Sequence, residues 1–163
     1  MSPAPEKWRQ TTQADNSEFS TKIIIRGPAN VVGKLYGRDA SWVQLNSFVD
    51  KPTGAISHWV VYDELYDSKG ARRWQSATTD KAVSLKTVPL RLKVSSCGRG
   101  TCIYDESVGA VIPNDVFAEA AIKQLKVKFS GGDGDQYIAY IESDQVRDQI
   151  NAAEFYSAQQ LKK

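Results

Sequence analysis

The segment from Ala55 to Tyr66 carries bulky groups at both alternating sets of positions, Val60 and Tyr62 on one and Trp59, Val61 and Leu65 on the other. A run so rich in β-branched and aromatic residues reads as a strand, and a strand that is apolar on both faces belongs in the middle of a sheet with cover on both sides. The rest of the chain must then supply neighbouring strands and a second layer.

Such neighbours are readable on both sides. Residues 41–49 place Val43, Leu45 and Val49 opposite Gln44 and Asn46, and Asp50-Lys51-Pro52-Thr53-Gly54 supplies the turn of a hairpin into the long strand. Upstream, Thr21-Lys22-Ile23-Ile24-Ile25-Arg26 is a β-branched run closed by Gly27-Pro28. Downstream, residues 86–96 alternate Leu90, Leu92 and Val94, expected inward, with Arg91 and Lys93 outward, and Pro89 suits an edge or a strand start. Residues 101–112 form a further extended segment, which Pro113-Asn114-Asp115 ends in favour of a short helix near 114–124. Leu125, Val127 and Phe129 then alternate with Lys126 and Lys128, and the turn Ser130-Gly131-Gly132-Asp133-Gly134-Asp135 leads into residues 136–142. Ser143 is expected to cap a final helix with Val146, Ile150, Ala153, Ser157 and Leu161 on its docking face and Phe155 pointing away. The fold class implied is mainly β, an antiparallel sandwich or partly closed barrel, with the C-terminal helix packed on the sheet.

At 163 residues the chain is the length of one domain, read here as a flexible leader over residues 1–18, with Trp8 its one large anchor, and a single β-rich domain over 19–163. No apolar run is long enough to span a bilayer as a helix, and the first residues lack the apolar core of a signal peptide. Either a targeting segment was removed or the protein stays in the cytosol. Charge is uneven: residues 69–99 hold eight basic groups and one acidic (+7), whereas residues 100–163 hold six and ten (−4). An anionic macromolecule is one partner that such a segment fits, and mutual neutralisation within the fold is the other reading. Arg72, Arg73, Trp74, Arg91, Lys93 and Arg99 are the candidate contact residues, together with Phe155; nucleic acid is the weaker fit, because solvated strand faces carry the same pattern.

Candidate chemistry is sparse. In Cys97-Gly98-Arg99-Gly100-Thr101-Cys102 two cysteines flank a turn between strands and can meet across the ladder; a structural disulfide worth about 2 kcal/mol is favoured over free thiols, redox or metal roles. His58 is the only histidine, and although Ser57 and Asp63 are near it in sequence no nucleophile elbow accompanies them, so a packed or surface histidine is expected. Asp133 and Asp135 sit in a glycine-rich turn without the closing glutamate of a calcium loop. Glu64, Asp105 and Glu106 are carboxylates near the sheet, with nothing in their spacing to face two of them across a cleft. No catalytic residue, metal ligand or cofactor site is assigned.

The run Trp74-Gln75-Ser76-Ala77, the cysteine turn, and Ile103-Tyr104-Asp105-Glu106-Ser107-Val108-Gly109 resemble small exported bacterial proteins, often lipoproteins, that have no assigned activity. The resemblance implies a bridged Cys97–Cys102 pair and a periplasmic or cell-envelope location, and is compatible with a lipid anchor in a precursor. The expectation is a non-enzymatic envelope domain that binds another macromolecule. The alternative is a carrier of small lipophilic ligands, with Trp42, Trp59, Tyr62 and Tyr140 lining an apolar pocket.

Overall fold

The computed structural model describes residues 11–31 and 40–162. Its elements, in order, are β1 (Gln13–Asp15), β2 (Lys22–Arg26), β3 (Asn30–Val31), β4 (Ala40–Asp50), β5 (Ile56–Ser68), β6 (Ser76–Thr79), β7 (Ser84–Gly98), β8 (Thr101–Ile112), α1 (Asn114–Ala120), β9 (Leu125–Ser130), β10 (Gln136–Ile141) and α2 (Ser143–Leu161). Among the described residues ten strands form one antiparallel sheet in the order β1-β2-β4-β5-β8-β7-β6-β9-β10, with β3 pairing alongside β2 on the same edge of β4. The long apolar strand is central, as its double set of bulky residues requires, with β4 on one side and β8 on the other.

The sheet does not close; it folds back on itself at β7. Only Ser84 and Leu85 of that strand pair with β6, whereas residues 86–98 pair with β8. This bend sets β6, β9 and β10 over the concave face of β4, β5 and β8. The main core lies between, built from Val43, Leu45, Val60, Tyr62, Val108, Ala110 and Ile112 on one side and Ala77, Val127, Phe129, Ala139 and Ile141 on the other. Tyr62 is its hub: its ring stacks on Tyr137 at 4.3 Å, lies 5.6 Å from Phe129 and meets Trp74 edge-on at 5.4 Å. A smaller cluster of Ile23, Ile25 and Val49 is covered by Ala152 and Ala153 of α2.

Turn chemistry fixes the hairpins. In the β4–β5 turn Asp50 Oδ2 accepts hydrogen bonds from Thr53 N (3.2 Å) and Thr53 Oγ1 (2.5 Å), and Gly54 adopts φ +73°. Gly54 also needs its missing side chain for space, since a Cβ there would sit 3.2 Å from Ser157 Oγ and 3.3 Å from Leu161, which is how closely α2 approaches. The β7–β8 turn is a two-residue loop, Arg99 at φ 55° and Gly100 at φ 83°, the left-handed pair that matches the twist of a hairpin.

Several expectations need correction. Gln13–Asp15, within the expected leader, adds a strand to β2, while Trp8 lies outside the described residues. α1 ends at Ala120 rather than near Gln124, and Glu142 rather than Ser143 occupies the cap position of α2. That helix buries Val146, Gln149, Ala152, Ala153 and Ser157, and leaves Leu161 71% exposed beside the β4–β5 turn. Phe155 does not point free into solvent: it is half-buried against the smaller cluster, edge-on to Tyr156.

Trp59 crosses β8 on the convex face, and Gly109 makes room for it, since a Cβ at that position would lie 2.7 Å from the indole. Gly109→Ala is expected to lower stability by about 1–3 kcal/mol through this overpacking. Gly98→Ala, where nothing lies within 4 Å, should cost less than about 1 kcal/mol; urea midpoints of the two variants check the difference.

Candidate functional site

Three constellations gather the polar and exposed residues that the fold does not use for plain packing. The first lies where the chain crosses between layers, in residues 69–75. Glu64 and Glu106 are direct cross-strand partners on the concave face, and both are buried. Glu106 Oε1 accepts from Tyr66 Oη (2.5 Å) and Arg73 N (3.3 Å), and its Oε2 from Trp74 N (2.8 Å). Glu64 Oε2 accepts from Tyr62 Oη and Trp74 Nε1, both at 3.0 Å, and its Oε1 pairs with the Arg72 guanidinium, which also lies 4.3 Å over the Tyr66 ring. Arg72 N donates to Tyr66 Oη at 2.8 Å. With Arg73 at φ 53°, the successive backbone N–H groups of Arg73 and Trp74 converge as a nest that the Glu106 carboxylate fills. Burial raises the Tyr62 and Tyr66 phenols above their ordinary pKa, and the hydrogen bond to Glu106 adds to the effect at Tyr66. The two glutamates thus face each other, but the nest, two phenols and an indole occupy them. The arrangement holds a backbone crossing.

The second constellation is Ser47, His58 and Gln149. Gln149 Nε2 donates to Ser47 Oγ (2.8 Å) and to Ile25 O (2.9 Å), and Ser47 Oγ is hydrogen-bonded to His58 Nδ1 at 2.6 Å. The imidazole stacks on Phe117 at 4.0 Å, and burial lowers its pKa to about 4. Ser47 is fully buried, so no substrate atom can reach its hydroxyl. Asp63, near His58 in sequence, lies on the opposite face, where it and Asp105 bind Arg91 Nη2 at 3.0 and 2.9 Å.

The third constellation is the arm formed by the distal halves of β7 and β8. Because β6 is 4 residues long and β7 is 15, no described strand pairs with the outer edge of β7 beyond Leu85. Leu92 and Val94, expected inward, are instead 42% and 55% exposed, since the arm outruns the opposing layer, and Leu90, 46% exposed, is turned by a register shift toward the convex face, beside Gly109 and Trp59. Leu92 and Val94 pair with Glu106 and Tyr104 and so share the concave side, whereas Arg91 and Lys93 pair with Ser107 and Asp105 on the convex side. The register shifts at Leu90 and again at Ser95, leaving residues 91–94 as a regular stretch. Cys97 and Cys102, opposite each other at the tip, form a disulfide.

No protein-family model, curated protein or solved structure matches this chain.

The expected basic surface does not assemble as one patch. Trp74 is in the core at 5% exposure, Arg72 pairs with Glu64, and Arg91 is tied to two aspartates, which leaves Arg73, Lys93 and Arg99 exposed. Nor do the four expected pocket residues share a cavity. Tyr62 belongs to the core, Trp42 and Trp59 alternate onto the convex face of β4 and β5, and Tyr140 lies 55% exposed on the outer face of β10. There, with Ile138, Lys126 and Lys128, it borders a shallow depression of about 470 Å³. Among the described residues no three His, Cys, Asp or Glu side chains are grouped to hold a metal ion, and no helix is long and apolar enough to cross a membrane.

Two outcomes follow for stability. Glu106→Leu strands the Trp74 amide and the Tyr66 hydroxyl without their acceptor, so a loss of roughly 3–5 kcal/mol is expected in urea unfolding. His58 binds its proton more weakly in the folded chain than in the unfolded one, where the ordinary value of 6.5 applies. Its contribution is therefore complete above pH 6.5 and disappears as pH falls toward 4, a decline of roughly 3 kcal/mol. Urea midpoints across that window, against those of His58→Gln, and NMR titration of the only histidine would check it.

Proposed function

We propose that this chain is a non-catalytic binding domain that works outside the cytoplasm and takes an extended segment of another protein along the outer edge of β7. The observation that carries the reading is the mismatch in length between β7 and β6, which leaves a strand edge with exposed apolar side chains. An unpaired edge offers backbone donors and acceptors in strand register, and adding one more strand is a common way to recognise an extended peptide. Pro89, the two bulges and the charges of Arg91 and Lys93 are devices that discourage indiscriminate pairing, and they frame the regular stretch at 91–94. A strand already formed against β8 suits the role, because a preformed strand orders little on binding. The disulfide at its tip, with the likeness to small exported proteins, supports a location in an oxidising compartment.

A photo-crosslinking residue in place of Leu92, irradiated in the native cells, is expected to form a discrete protein adduct that the same residue in place of Ile122, 82% exposed elsewhere on the molecule, does not form. Adducts of equal yield at both positions, or none at Leu92, count against the edge. Intact mass after alkylation in those cells should show no modified thiols, and two alkylated cysteines would count against the extracytoplasmic location.

A further inference from the structure

We infer that the segment received by β7 alternates acidic and apolar residues, an inference that rests on the binding edge just described. The two sides of the arm differ in chemistry. A strand added beside β7 sets its residues opposite those of β7, with paired side chains on the same face. On the concave side its partners are Leu92 and Val94, both exposed and flanked by Tyr104, whose ring stacks on Tyr66 at 5.4 Å. On the convex side its partners are Arg91, already held by Asp63 and Asp105, and Lys93, which is exposed. Apolar residues facing the first pair and a carboxylate facing Lys93 alternate along one strand, which is the period a strand imposes.

Charge in the surroundings favours the same occupant. Lys86, Lys93, Arg99 and Arg73 are exposed around the arm, and none of them is paired with a carboxylate among the described residues. Against them stand Asp63 and Asp105, which share the single charge of Arg91, and Asp67 near the tip. The four exposed cations outweigh this acidic surplus, so the charge beside the edge is positive on balance. A second copy of this chain fits poorly, since antiparallel pairing of β7 with itself about Leu92 would set Arg91 against Lys93 and Lys93 against Arg91 on one face, and like charges directly opposite each other are destabilising. Two devices thus act together: the cations repel another β7 and attract a strand of opposite charge.

The test uses the full chain, isotopically labelled, and four short synthetic peptides: one alternating Asp and Val, one alternating Lys and Val, and the Asp/Val peptide N-methylated at every second residue in each of the two phases. The Asp/Val peptide is expected to shift the backbone amides of residues 86–94 and to bind about tenfold more tightly than the Lys/Val peptide, the effect of a few cross-strand charge pairs. Lys93→Glu should remove that preference without changing the fold, since Lys93 is exposed on the arm. Methylation in one phase should abolish binding and in the other leave it within about twofold, because alternate N–H groups of an added strand point toward β7 and away from it. Equal or tighter binding of the Lys/Val peptide, with methylation still phase-dependent, would overturn the acidic preference and leave the edge standing. Binding insensitive to the phase of methylation, or shifts away from β7, would overturn the edge itself. Failure of both peptides to bind would overturn the acidic–apolar chemistry, and the crosslink from position 92 then decides the edge separately.

Discussion

The carboxylate of Glu106 governs the crossing between layers that residues 69–75 make. Residues 69–75 leave the central strand β5 and enter β6 on the opposite side of the core, and a backbone that crosses a protein interior must satisfy its N–H groups without a ladder. Glu106 accepts from Arg73 N and Trp74 N, Tyr66 Oη accepts from Arg72 N, and Gln75 N continues to Ser130 O in the next strand. Fixing this crossing places Trp74 against Tyr62, and Tyr62 against Phe129 and Tyr137, so the aromatic hub of the core inherits its geometry from a buried polar contact. Buried networks of this kind carry high stakes: fully satisfied they specify one arrangement, and half-satisfied they are worse than an apolar core.

The same crossing explains the free edge. Because the chain returns to the sheet at Ser76 and β6 ends at Thr79, it covers only the first residues of β7 before the following turn reverses it. Beyond Thr87, whose Oγ1 donates to Gln75 O, β7 is paired among the described residues on one side, by β8, and its far end is closed by the disulfide and the two-residue turn. Support on one side and exposure on the other make a strand with an open edge. Such an edge offers backbone in register and side chains at a set period.

The Ser47–His58–Gln149 triplet stands at the other end of the core and serves a different purpose. It joins α2 to β2, β4 and β5 through one side-chain amide, with Gln149 reaching both Ile25 O and Ser47 Oγ. Its imidazole is kept neutral by burial, as a filler with one hydrogen bond and one aromatic face.

Much of this was legible in the residues themselves. Alternation marked the strands, Asp50–Gly54 and Ser130–Asp135 marked their turns, and two cysteines flanking Arg99-Gly100 marked a pair that meets across a ladder. Part of the buried cluster was also readable in principle: Glu64 shares its alternating set with Val60, Tyr62 and Tyr66, which on a central strand means a carboxylate aimed at the core. Other features were invisible because they depend on which strands lie opposite. Leu92 and Val94 have the pattern of a buried face and are exposed, because periodicity reports the side of a strand to which a residue points and not whether another layer reaches that far, and Leu90 is put on the other side by a bulge that periodicity does not show. Trp74 beside two arginines has the composition of a surface and is buried, because its indole and its amide find Glu64 and Glu106, ten and thirty-two residues away. Local sequence specifies direction along and across a strand; the extent of cover is a property of the assembled sheet, set by the lengths of neighbours that the chain brings together only when it folds.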